Sequence, residues 1–166
     1  MTQAFAASWN GFFTVSAGAA ATLVGLLFVS LSVNIREILK YRHLPTRAAA
    51  TLGSLMLILV ASLAFLMPQP RWAMALEVLV AGLMAWAQHV RSAVRARAAR
   101  DVYGRPPHEN WLELGMGQAM SVPFLVGAGL MLAGSDAALP TLATGVILTF
   151  ALSVLNAWVL LVEILR

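Results

Sequence analysis

Glu77 is the only acid well inside an apolar stretch of this chain, and an ionisable group in such a stretch reads as a proton or cation site. Thr14, Ser16, Ser62 and Thr144 are its expected neighbours by depth. The competing reading is an interfacial carboxylate that reaches the headgroups or pairs with Arg71. A second set is polar but uncharged. Asn34, Gln88, His89, Gln118, Ser121 and Asn156, with Ser30 and Ser32, fall towards the same side of four apolar segments that run in alternating directions. Asn and Gln can hydrogen-bond between helices in lipid for roughly 0.6–2 kcal/mol per contact. A shared depth therefore predicts either a structural network or a water-filled cavity open to the cytoplasm. A third set is cationic. In "VRSAVRARAARDVYGR", Arg91 and Arg95 share a helix face, as do Arg97 and Arg100. Anionic headgroups or a protein partner suit that pattern. Nucleic acid does not, because no aromatic residues are interleaved for stacking.

Other chemistry is missing. The chain has no cysteine, so thiol catalysis and cysteine-held metals are out. It has no Gly-rich phosphate loop and no His-Glu-x-x-His. His43, His89 and His108 are scattered, and both aspartates, Asp101 and Asp136, fall in polar connections. No Ser-His-Asp set assembles at one depth. The expectation is a non-enzyme without cofactor or metal.

These residues must be held by membrane-spanning helices. The chain of 166 residues is 60% apolar and only 11% charged, too little charge to coat a water-facing surface. A bilayer core takes about 20 apolar helical residues. Five segments qualify, at about 11–35, 48–67, 72–90, 114–133 and 140–165. Pro45 and Thr46 open the second, Thr46 as its cap, and Pro140 sits in the first turn of the fifth. Pro123 interrupts the fourth and is expected to kink it and free a carbonyl. "MPQPRW" and "GSDAALP" make tight turns. The basic connection 91–113 is expected to continue the third helix into the cytoplasm, with "ENWLELG" as an interfacial lead-in to the fourth. Lys and Arg crowd the first and third connections (Arg36, Lys40, Arg42, Arg47; Arg91, Arg95, Arg97, Arg100, Arg105), whereas Arg71 stands on the other side. The positive-inside rule then puts the N-terminus outside and the C-terminus in the cytoplasm. Glu37 and Glu163, at cytoplasmic helix ends, are expected to pair with nearby cations. The start "MTQAFAASWNGFF" lacks a basic n-region and is expected to stay in the mature protein.

The first segment carries small residues at one step of seven: Gly11, Gly18, Gly25 and Ser32, widened by Thr14, Ala21 and Thr22. Small residues let helix backbones approach closely in lipid. The stripe predicts close packing, either inside the five-helix bundle or across a self-association seam.

Two segments also carry a resemblance. "GLLFVSLSVN" (25–34) and "LNAWVLLVEILR" (155–166), through Asn34, Asn156, Trp158 and Glu163, resemble a family of small bacterial multi-pass membrane proteins labelled "modulator of FtsH protease". The resemblance implies a bacterial inner membrane and carries no catalytic residue. The reading is an all-α integral membrane bundle of five transmembrane helices, in contact with the lipid bilayer and with a second copy or another membrane protein. Its expected role is a binding or regulatory module. The alternative is a homo-oligomeric ion channel or small transporter with a cytoplasm-facing polar cavity.

Overall fold

The computed structural model describes residues 3–40, 44–103 and 107–165, with side chains for 7–40, 44–95, 97, 111–159 and 162. The described residues form helices and turns without a strand. The helices are α1 (Gln3–Val33), α2 (Ile35–Lys40), α3 (Leu44–Leu66), α4 (Arg71–Tyr103), α5 (Pro107–Leu132) and α6 (Ala138–Leu165). Five of them are long and apolar enough to cross a membrane: Ala7–Val33, Leu44–Leu66, Arg71–Arg95, Trp111–Leu132 and Ala138–Val159. The expected spans are recovered, with shifted ends. α3 begins at Leu44 rather than Ala48, so Thr46 lies within the first turn and is not a cap. The basic connection is largely helix, because α4 runs on to Tyr103 and α5 already starts at Pro107. At 33 residues α4 is about 50 Å long, well beyond a hydrocarbon core of about 30 Å.

Short turns fix antiparallel neighbours. After α5, Gly134 takes a φ of +78°. Its N–H bonds to the Met131 carbonyl and that of Ser135 to the Leu130 carbonyl, which closes the helix end in a Schellman motif. Ser135 Oγ then accepts from the Ala137 N–H at 3.2 Å and caps α6. Between α3 and α4, Gln69 Nε2 donates to the Ala64 carbonyl at 2.8 Å, one of the acceptors left over at a helix end.

α3, α4, α5 and α6 pack in a ring: α3 on α4, α4 on α5, α5 on α6, and α6 back on α3. α1 lies outside this ring, against α3 and only marginally against α6. Its inner face is Phe13, Ser16, Ala17 and Ala20, and Phe13 meets Phe65 of α3 at 4.3 Å between ring centroids. Ile58, Val78, Phe124, Met131 and Leu139 fill the interior. Glycines bring α5 and α6 together. A Cβ on Gly145 would stand 3.0 Å from Pro123 Cβ, and one on Gly127 would stand 2.6 Å from Leu142 Cδ2.

α5 runs as helix through Pro123. A proline there removes the bond to the carbonyl four residues back, that of Ala119. The interhelix bond forms one residue further on, where the buried Thr149 Oγ1 of α6 donates to the Met120 carbonyl at 3.0 Å. Thr149→Val keeps the shape and loses the donor. It is expected to destabilise the bundle by about 1 kcal/mol, read as reversible unfolding in detergent, and an unchanged midpoint would remove this bond from the account of α5–α6 packing.

Candidate functional site

The polar side chains converge at the end of the ring where α3 and α5 begin and the apolar spans of α4 and α6 finish. Each helix contributes neighbours along one face, three or four residues apart. α3 brings Arg47, Ala50 and Ser54; α4 brings His89 and Ser92; α5 brings Glu113 and Gly117; α6 brings Asn156. A cavity of about 240 Å³ lies among them, with Arg47, His89, Ser92, Glu113 and Asn156 as its polar lining.

His89 and Ser92 are buried. Ser54 Oγ lies 2.8 Å from His89 Nε2 and 3.0 Å from the Ala50 carbonyl. A hydroxyl has one hydrogen. When it goes to Ala50, Nε2–H donates to Ser54 and Nδ1 keeps its lone pair. Ser92 Oγ donates to Glu113 Oε1 at 2.7 Å, tying α4 to α5. Gly117 permits this approach, since a Cβ there would stand 2.8 Å from His89 Cβ and 2.9 Å from Cγ.

The expected polar band is thus only partly one site. His89 and Asn156 line the cavity. Gln118 is turned away and accepts from Trp86 Nε1 at 2.9 Å. Asn34 lies at the break between α1 and α2, where its Nδ2 donates to the Ser30 carbonyl at 2.9 Å. Ser121 is buried with no hydrogen-bond partner for its hydroxyl among the described residues. Gln88 borders a separate cleft with Arg91, Arg95, Pro45 and Thr46. Arg47, Ser54, Ser92 and Glu113 were not among the expected site residues. The spacing of Ser92 from His89, and of Glu113 from Gly117, is the helical signal that groups them.

Glu77 stands apart, near the opposite end. It is exposed and accepts from Gln69 Nε2 at 2.9 Å. Among the described residues its hydrogen-bond partner is this amide from the α3–α4 turn, and not the hydroxyls of Thr14, Ser16, Ser62 and Thr144. Arg71 is half-buried, with Nε and Nη2 without hydrogen-bond partners among the described residues. At the basic end, Lys40 pairs with Glu37 at 2.6 Å. The side chain of Glu163 lies outside the described residues.

The arginines of α4 work partly within the molecule. Arg95 Nη1 donates to Thr46 Oγ1 at 2.9 Å, and the Arg97 guanidinium lies 4.9 Å from the Trp111 ring centroid. Arg91 is exposed, and the Arg100 side chain lies outside the described residues.

The small-residue stripe does not pack inside the bundle, which corrects that alternative. Gly11, Gly18, Ala21, Gly25 and Ser32 are all exposed. A Cβ on Gly11, Gly18 or Gly25 would meet nothing within 4 Å. The ring of α3–α6 closes without α1, so α1 needs only one flank, and aromatic packing on Phe65 selects the Phe13 side.

No protein-family model matches this chain, and no match to a curated protein or a solved structure was found.

Proposed function

We propose that this chain is a multi-pass membrane protein that acts as a binding or regulatory module, packing through the outer side of α1 against another membrane protein or a second copy of itself. The observation that carries this reading is the open glycine stripe: three glycines on one helix side, with nothing among the described residues, beyond the helix's own backbone, within 4 Å of where a side chain would begin. Glycine in the middle of a helix costs up to about 1 kcal/mol relative to alanine. A close partner helix offsets that cost, because backbone contact in lipid needs small residues. The cations support a cytoplasmic basic end: Arg36, Lys40, Arg47, Arg91, Arg95 and Arg97 fall there and Arg71 at the other, with the N-terminus outside. The resemblance of residues 25–34 and 155–166 supports a bacterial inner membrane.

A second reading has its own observation. The polar cavity at the basic end favours a homo-oligomeric channel or small transporter, in which several copies would be needed to line a pore. Mild cross-linking in native membranes, followed by purification and mass measurement, separates the two. A fixed-stoichiometry complex with another protein supports the module. A discrete homo-oligomer fits both readings until liposome flux decides between them, and there Glu77→Gln is expected to leave conductance unchanged, since Glu77 lies away from the cavity. A monomer alone would remove the association reading.

A further inference from the structure

Among the described residues, the cavity at the basic end is lined by a cation, an anion and an amide from three different helices, Arg47 of α3, Glu113 of α5 and Asn156 of α6, beside His89 and Ser92 of α4. We infer that it binds a zwitterionic head group, in which a primary ammonium and a phosphate or carboxylate are joined by a short linker. The inference stands independently of how α1 associates.

Three features point to that class. The first is charge. A ligand of one sign would meet its opposite on one wall and a like charge on another, and a poorly solvated like-charge contact is costly. A zwitterion meets both. The second is the hydrogen-bonding inventory. Glu113 Oε1 already accepts from Ser92 at 2.7 Å, and a carboxylate offers further lone pairs that only a donor can use. A primary ammonium has such N–H groups, and a trimethylated one has none. The Arg47 guanidinium has five N–H donors in a fork that suits phosphate or carboxylate. Asn156 can serve either end. The third is size and surroundings. About 240 Å³ is the share of roughly eight waters, enough for a head group and too little for a whole lipid. Leu112, Leu155 and Val159 line the same cavity while 65%, 55% and 40% exposed, so an attached chain has an apolar path out to the surface.

The chemistry is shared by an aminophospholipid and by a free amino-phosphate, and the test distinguishes them. The full chain, purified in a non-ionic detergent, is titrated calorimetrically with four probes. These are short-chain phosphatidylethanolamine, phosphatidylcholine and phosphatidylglycerol, and free phosphoethanolamine. The expected result is phosphatidylethanolamine bound at least about tenfold more tightly than the choline or glycerol lipid, because the lost partner is a charged hydrogen bond. Glu113→Gln and Arg47→Gln are each expected to lower that affinity about tenfold to a hundredfold. Free phosphoethanolamine binding as well as the lipid makes the soluble molecule a sufficient ligand; binding of the lipid alone assigns the membrane as the source. Equal binding of the three lipids, or no binding of any probe, overturns the inference. So does unchanged selectivity in both variants. If a variant fails to fold, selectivity among the probes on the unaltered chain decides.

Discussion

Gly117→Val is expected to open the α4–α5 contact and dislodge His89 from Ser54. A Cβ at position 117 would lie 2.8 Å from His89 Cβ and 2.9 Å from Cγ, closer than real Cβ contacts come. Those are the root atoms of the side chain, so the clash is relieved only by moving the α4 backbone. Overpacking of this kind costs about 1–3 kcal/mol. The buried Ser54–His89 bond, 2.8 Å in length, would go with it and add about 1 kcal/mol. Reversible unfolding in detergent reads the stability, and the His89 ring resonances read the local change. Gly53→Ala is the matched control. Its Cβ would meet Gln88 Oε1, but that atom is the far end of a flexible side chain and can swing aside. A small change for Gly53→Ala beside a large one for Gly117→Val is the expected pair. Equal effects would mean that the two helices are not held at the distance described.

Gly25→Leu is expected to leave the chain folded and to abolish the proposed association. Among the described residues nothing beyond the helix's own backbone lies within 4 Å of a Cβ at position 25, so the added side chain starts in open space. A partner helix in backbone contact there would be pushed away by the whole side chain, and the loss is expected to be near complete. Cross-linked mass in native membranes reads association, and helicity with melting in detergent reads folding. A complex of unchanged mass would exclude the glycine stripe as the seam. Loss of helicity would show instead that the stripe supports the subunit.

Much of the architecture is legible in the sequence because it depends on single-chain quantities. An uncharged apolar run of sufficient length must cross lipid or be buried, whatever its neighbours, so the five spans are recoverable from hydropathy alone. Alternating direction then puts residues at matching depths. That is why His89 and Asn156, on different helices, were grouped from the sequence and do line one cavity.

Helix ends were less legible, with a direct cost for the site. Hydropathy leaves Arg47 in a connection and Glu113 in a lead-in, yet α3 begins at Leu44 and α5 at Pro107, so both sit within helices. Polar residues near an interface are equally compatible with a first helical turn and with a loop, and hydropathy does not separate them. Gln118 and Asn34 show the converse. Depth placed them with His89, but Gln118 bonds Trp86 and Asn34 bonds the end of its own helix.

Length, depth and periodicity follow from the order of residues alone: five apolar helices, one basic end, and a glycine stripe along α1. Azimuth does not, because it is set by packing. Phe13 and Ala17 mark one side of α1 and Gly18 and Gly25 another, and periodicity treats both as helix faces. Which side turns inward depends on the surface it meets. Here that surface is the flank of α3 with Phe65, so the aromatic side was buried and the glycine side was left open. Rotation about a helix axis is a property of a pair of helices and has no counterpart in either one alone.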